Sequence, residues 1–121
     1  MKKALAGEPL TIFGRGNQTR DFVFVADNIR ASLLALLSDK TDGEVLNIGR
    51  QKPRTIMALA KAVEKVSGQK LGFKFIPRHR GDQVLHRSAS AAKLKRLVGY
   101  APPTDLEEGL RKTWEYYKKV I

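Results

Sequence analysis

Two hydrophobic periods alternate along this chain, and that alternation limits its fold more than any other feature. Short β-branched and aromatic runs stand at Leu10 to Phe13, Phe22 to Val25 and Val45 to Ile48. Around them, apolar residues recur every three or four positions, at Ile29, Leu33, Leu34 and Leu37 and again at Ile56, Leu59, Ala60, Val63 and Val66. The first pattern is that of strands and the second that of single helix faces. Their alternation predicts an α/β fold of short strands and amphipathic helices.

Punctuation refines the elements. Gly14 to Thr19 is a turn-rich spacer, so Leu10 to Phe13 and Phe22 to Val25 read as two strands joined by a loop. Asp27 is placed to cap the first long helix, which breaks at Asp39 to Gly43. Val45 to Ile48 is almost continuously apolar, which predicts a strand covered on both faces. Pro53 and Thr55 open the second helix and Gly68 closes it. Leu71, Phe73 and Phe75 alternate as a half-buried strand that Pro77 ends, with both phenylalanines at core positions. Ser88 or Ser90 starts a helix carrying Leu94 and Leu97 and ending near Gly99, and Asp105 caps a last one with Leu106, Leu110, Trp114 and Tyr117 on one face. Trp114, Tyr116 and Tyr117 read as helix packing. With no repeat and no flexible linker, residues 1–121 are expected to form one domain, long enough to bury about two-thirds of its unfolded surface.

Composition removes several chemistries. The chain has no Cys and two His, His79 and His86, so neither a disulfide framework, a zinc site nor a thiol nucleophile is expected. No histidine has a Ser or Cys partner placed by motif, and no catalytic residue is assigned. Apolar runs fall short of a membrane span, and the basic start meets Glu8 and Pro9 before any signal-like core. A cytoplasmic protein without membrane contact is the expectation.

Net charge is +11, of which +3 falls in residues 1–60 and +8 in residues 61–121. Such a field attracts phosphates. Arg20, entering a strand after Gly14 and Gly16, can present its fork to a phosphate that the glycines allow near the backbone. Equally open is a bland reading, in which Arg20 and Asp21 are an exposed pair on a hairpin. The glycines are no dinucleotide fingerprint, having no third glycine and no strand-turn-helix around them. A second cationic group is the loop Arg78-His79-Arg80-Gly81-Asp82, with His86 and Arg87 beyond it, where Arg78 and Arg80 can hold a diphosphate and Asp82 can accept from sugar hydroxyls, although taken alone the stretch reads first as a solvated basic loop. Lys93, Lys95, Arg96, Arg111, Lys112, Lys118 and Lys119 read as solvated helix surface.

The ordered series Gly7-Glu8-Pro9-Leu10-Thr11-Ile12-Phe13-Gly14, Gln18-Thr19-Arg20-Asp21-Phe22-Val23-x-Val25-x-Asp27, Gly43-Glu44-Val45-Leu46-Asn47-Ile48-Gly49, Arg80-Gly81-Asp82, Leu97-Val98-Gly99-Tyr100-x-Pro102 and Leu106-Glu107-Glu108-Gly109-Leu110 resembles the NAD-dependent sugar epimerase/dehydratase family, the extended short-chain dehydrogenases. The resemblance runs from Leu5 to about Tyr117 and covers the C-terminal, substrate-binding part of that fold. The Arg20-Asp21-Phe22 form is closer to UDP-glucose 4-epimerases than to UDP-glucuronate decarboxylases. It implies that the backbone of Thr11 to Phe13 lies beside the base, that Arg20 grips the diphosphate of a UDP-sugar, and that Asp82 holds the ribose. Where the family has Arg-Pro-Gly-Asp, this chain has His79-Arg80-Gly81-Asp82, with Ala26 and Ser90 at two positions that are often acidic.

The family's Gly-rich dinucleotide turn and Tyr-x-x-x-Lys pair are not in this sequence. The resemblance therefore implies NAD for the intact enzyme, which oxidises the sugar at C4 and returns hydride to the other face, but none for this chain alone. The chain reads as half an enzyme, inactive by itself: a cut form, a truncated reading frame or a remnant. In relatives Val45 to Ile48 joins the sheet of the dinucleotide-binding domain, and an uncovered strand there predicts a homo-oligomer by strand exchange. The competing reading is a noncatalytic module that binds nucleic acid through the +8 half; otherwise such binding is expected to be nonspecific.

Overall fold

A computed structural model describes residues 1–78 and 84–121. Two of the expected site residues, Arg80 and Asp82, lie outside the described residues, as does His79. In chain order the elements are α1 (Lys2–Leu5), β1 (Leu10–Phe13), β2 (Thr19–Arg20), α2 (Val25–Leu36), β3 (Arg54–Thr55), α3 (Ile56–Ser67), β4 (Phe73–Ile76), β5 (His86–Arg87), α4 (Ala92–Val98) and α5 (Leu106–Val120). The α/β alternation is present, built on two small sheets.

In one sheet β1 and β4 run parallel, with Leu10 opposite Phe73 and Phe13 opposite Ile76. In the other, β2 lies between β3 and β5. The β2–β3 pairing is antiparallel, Thr19 to Thr55 and Arg20 to Arg54. The β2–β5 pairing is parallel, Thr19 to His86 and Arg20 to Arg87.

Local signals form α3 and α5 where the sequence places them. Thr55 Oγ1 accepts the Ala58 N–H at 3.0 Å, and Gly68 ends α3 at φ 70°. Asp105 accepts the Glu108 N–H at 2.8 Å, and that bond holds its carboxyl below the usual carboxylate range. The two helices pack together so that Trp114 of α5 meets Val63 of α3, Leu71 and Ala4. Ile12 of β1 and Leu94 of α4 are fully buried. Each such large apolar side chain contributes about 1.5–3 kcal/mol.

Several expectations are corrected. Residues 22–25 form no strand: the pairing segment is Thr19–Arg20, and α2 already begins at Val25. Asp27 does not cap α2. Phe24 occupies that position without a side-chain bond, while Asp27, buried in the first turn, accepts the Thr104 N–H at 2.9 Å and the Tyr100 hydroxyl at 3.4 Å. Burial and then the Asp27 charge push the Tyr100 phenol up from its ordinary value. So α2 docks through Asp27 and Ala31, and its apolar stripe faces out: Ile29 is 54% exposed, Leu33 53% and Leu37 81%. Val45 to Ile48 is not a strand either, and Val45 is 84% exposed. Apolar composition alone makes no strand, since the ladder bonds need a neighbour. Phe75 is exposed rather than core, as is Tyr116, and α4 begins at Ala92, after Ser88 and Ser90.

Candidate functional site

The site grows from the turn after β1. Gly14 and Gly16 have φ of 68° and 73°, which side-chain-bearing residues rarely adopt. A Cβ on Gly14 would stand 2.7 Å from the Arg78 stem, and one on Gly16 3.1 Å from Ile12 Cγ2. The positive φ and the close packing against Arg78 and Ile12 both favour glycine at these positions. Buried Gln18 donates to the Phe13 carbonyl at 2.9 Å, the Met57 N–H reaches Gly16 O at 2.9 Å, and the Ile56 N–H reaches Gln18 O at 3.0 Å. The turn is thus locked to the start of α3, and β2 leaves it in a fixed direction.

That direction carries Arg20 to the far flank of residues 79–83. Its guanidinium donates to Leu85 O at 3.3 Å and Val84 O at 3.2 Å, and to its neighbour Thr19 O at 2.8 Å. The Thr19 N–H bonds to Leu85 O at 2.8 Å, and Thr19 Oγ1 lies 2.9 Å from His86 Nδ1. The near flank meets the same segment, since the Gly14 N–H bonds to Ile76 O at 2.8 Å and the Arg78 stem lies on Gly14. Arg20 and Arg78, distant in sequence, thus sit at the two ends of one short stretch.

The β3-β2-β5 register also sets Arg54, Arg20 and Arg87 abreast. Like charges directly opposite one another are unfavourable, and an anion lying across them relieves the repulsion. Arg54 and Arg87 were not singled out with Arg20 as a set by the sequence, because only the tertiary register aligns them. Asp21 is not half of an exposed hairpin pair: its carboxylate accepts the N–H groups of Gln51 at 2.9 Å and Lys52 at 3.4 Å.

Of the two β1 candidates, Phe13 ends the strand, about half exposed, with its carbonyl taken by Gln18. Thr11 is tied instead to α1, accepting from Lys3 Nζ at 2.8 Å, and lines a hollow of about 430 Å³ with Lys2, Leu59 and Tyr117. Much of the remaining helix charge is matched: Lys93 pairs with Glu44, whose carboxyl is lowered by that contact, Lys112 with Glu108 at 2.7 Å, and Lys118 with Glu115 at 2.6 Å. Among the described residues no helix is long and apolar enough to cross a membrane.

Residues 1–49 match the model of the NAD dependent epimerase/dehydratase family. An uncharacterized protein of Methanocaldococcus jannaschii is 34% identical over 116 residues, 96% of this chain and 35% of its own length. The crystal structure of UDP-glucuronic acid 4-epimerase from Bacillus cereus, in complex with UDP-glucuronic acid and NAD, matches with a TM-score of 0.91 at 36% identity, over 99% of this chain and 38% of that one. UDP-glucose 4-epimerase from Thermotoga maritima, with UDP-glucose, gives 0.89 at 36% identity, over 98% and 38%. The chain spans little more than a third of the length of these relatives.

NAD is present in the Bacillus cereus complex, and the glycine turn of this chain differs from the turn that holds a dinucleotide. A dinucleotide needs open backbone N–H groups at a glycine turn that starts a helix. Here the glycine turn joins two strands, and the space over Gly14 and Gly16 is taken by Arg78, Ile12 and Met57. Sequence and fold nonetheless agree over nearly the whole chain, which belongs to the NAD dependent epimerase/dehydratase family.

Proposed function

We propose that this chain supplies the sugar-nucleotide-binding surface of an epimerase-like enzyme, with residues 1–121 acting as one substrate-binding domain and a UDP-sugar as its ligand. The observation that carries this reading is the seat of Arg20, bonded to Val84 O and Leu85 O while Arg78 lies on Gly14 at the opposite end of the same segment. A guanidinium so held has already lost most of its rotamer freedom before a ligand arrives, and its planar fork matches a phosphate. In this reading Arg20 takes the diphosphate, Arg78 and Arg80 add charge beside it, Asp82 accepts from the ribose, and the backbone from Thr11 to Phe13 borders the base. No catalytic step is assigned to these residues. The solved relatives that hold UDP-glucuronic acid and UDP-glucose support the choice of ligand. Titration of the isotope-labelled chain with UDP should shift the amides of Thr19, Arg20, Leu85 and His86 saturably, with smaller shifts from Thr11 to Phe13. Shifts that spare β2 and β5 would overturn the reading, as would a response that vanishes in moderate salt and appears equally with any polyanion.

We further propose that the chain self-associates. The expected strand exchange loses its strand, but α2 and the residue after it present an exposed apolar surface, with Ile29, Leu33, Leu36 and Leu37 all more than half exposed. Apolar patches of this kind mark protein contacts. Sedimentation equilibrium should give a dimer or larger species at tens of micromolar, and L33E/L36E should give a monomer. A monomeric parent chain at several hundred micromolar would contradict this.

A further inference from the structure

We propose that the cleft between residues 50–54, α3 and the start of α5 is a second anion site, which takes a triphosphate group. The cleft holds about 700 Å³, within the range of small-molecule sites. Arg50, Lys52, Arg54, Lys61 and Lys65 line it against two carboxylates, Asp105 and Glu107, a net of three positive charges. Both carboxylates are already engaged. Glu107 pairs with Lys65 at 2.8 Å, and Asp105 caps α5. Among the described residues, Lys52, Arg54 and Lys61 have no carboxylate within ion-pair distance. Among the described residues Arg50 donates a long 3.4 Å bond to Pro103 O and lies near the Asp105 charge, and its Nε–H is shut off from water without an acceptor. A buried donor left so costs free energy until something accepts from it.

The cations are not scattered side chains that happen to meet. Arg50, Lys52 and Arg54 alternate along a segment that is pinned from outside. Asp21 accepts its Gln51 and Lys52 N–H groups, and Gln51 Oε1 accepts the Ala91 N–H at 3.3 Å. Gln51 is held at φ 57°, a conformation such a residue adopts only when its surroundings impose it. Three like charges gathered on a fixed segment, facing Lys61 on α3, leave an electrostatic deficit that three closely spaced negative charges fill. A triphosphate carries that charge in a chain short enough for the cleft. Arg20 does not line it; Arg54, which stands opposite Arg20 in the sheet, is shared by both surfaces, so the test is placed on Lys52 and Lys61, which the UDP-sugar reading does not use.

The test is titration of the labelled chain with inorganic tripolyphosphate, and separately with ATP. The amides of Lys61 and Lys65 should shift saturably, and K52Q/K61Q should weaken binding about tenfold or more while leaving the UDP response at Arg20 unchanged. Tighter binding of ATP than of tripolyphosphate would support the site and make a nucleotide its source of triphosphate. Equal binding would support it with the phosphates alone as the recognised group. Unsaturable shifts spread equally over Lys93 to Arg96 and Lys118 to Lys119 would overturn the proposal, as would undiminished binding to K52Q/K61Q or full displacement of tripolyphosphate by UDP.

Discussion

Trp114→Ala is expected to cost about 3–5 kcal/mol of folding free energy, read as a fall in the urea midpoint at unchanged slope. Trp114 is the largest side chain in the cluster with Ala4, Val63 and Leu71, and it joins α5 to α3. Removing the indole loses its transfer free energy and leaves a cavity that two helices and a loop can fill only by moving. Against a total stability of about 5–15 kcal/mol for a domain of ordinary size, the loss is large. It also reaches the site, because α3 follows directly on β3, whose Arg54 and Thr55 pair with Arg20 and Thr19. Trp114→Phe, which keeps a ring in the space, should recover most of the stability. A loss under about 1 kcal/mol for the alanine variant would mean that α5 is not packed as described.

Arg20→Gln is expected to weaken UDP binding by about tenfold to a hundredfold, the equivalent of one or two charge-assisted hydrogen bonds. Glutamine keeps a donor and much of the stem but loses the charge and the fork. Lysine at the same position should restore charge without the planar geometry and give an intermediate affinity. Because Arg20 also donates to the carbonyls of Val84 and Leu85, the variant should be checked for native circular dichroism at the temperature of the titration. A folded Arg20→Gln chain that binds UDP as the parent does would remove Arg20 from the ligand's path.

What was legible in the sequence follows a physical division. Thr55 and Gly68 at the ends of α3, and Asp105 at the start of α5, act through bonds to atoms a few residues away, so the sequence carries both cause and effect. The apolar stripe on α2 was equally plain, but periodicity states only that a face exists. What docks α2 is a buried carboxylate, Asp27, reaching a backbone N–H at Thr104, 77 residues on. The strand at Thr19 and Arg20 is hidden for a similar reason. Its position is set by Gly16 and Gln18 bonding to Met57 and Ile56, and no local pattern announces those partners. Val45 to Ile48 shows the converse, strand composition without a strand. Among the candidate residues, Arg20 stands out in the sequence because an arginine after a glycine turn is a recognisable unit, whereas Arg54 and Arg87 align with it only through the sheet register. The glycines are plain in the sequence, but their packing against Arg78 and Ile12 is not, since both contacts are set by the fold.

The most direct test is a crystal structure of this chain with UDP bound. The account predicts the pyrophosphate against the Arg20 guanidinium, with Arg78 on one side of it, Asp82 at the ribose and the uracil along Thr11 to Phe13. UDP lying in the cleft of Arg50 and Lys61, or on α2, with its pyrophosphate away from the Arg20 guanidinium, would contradict it.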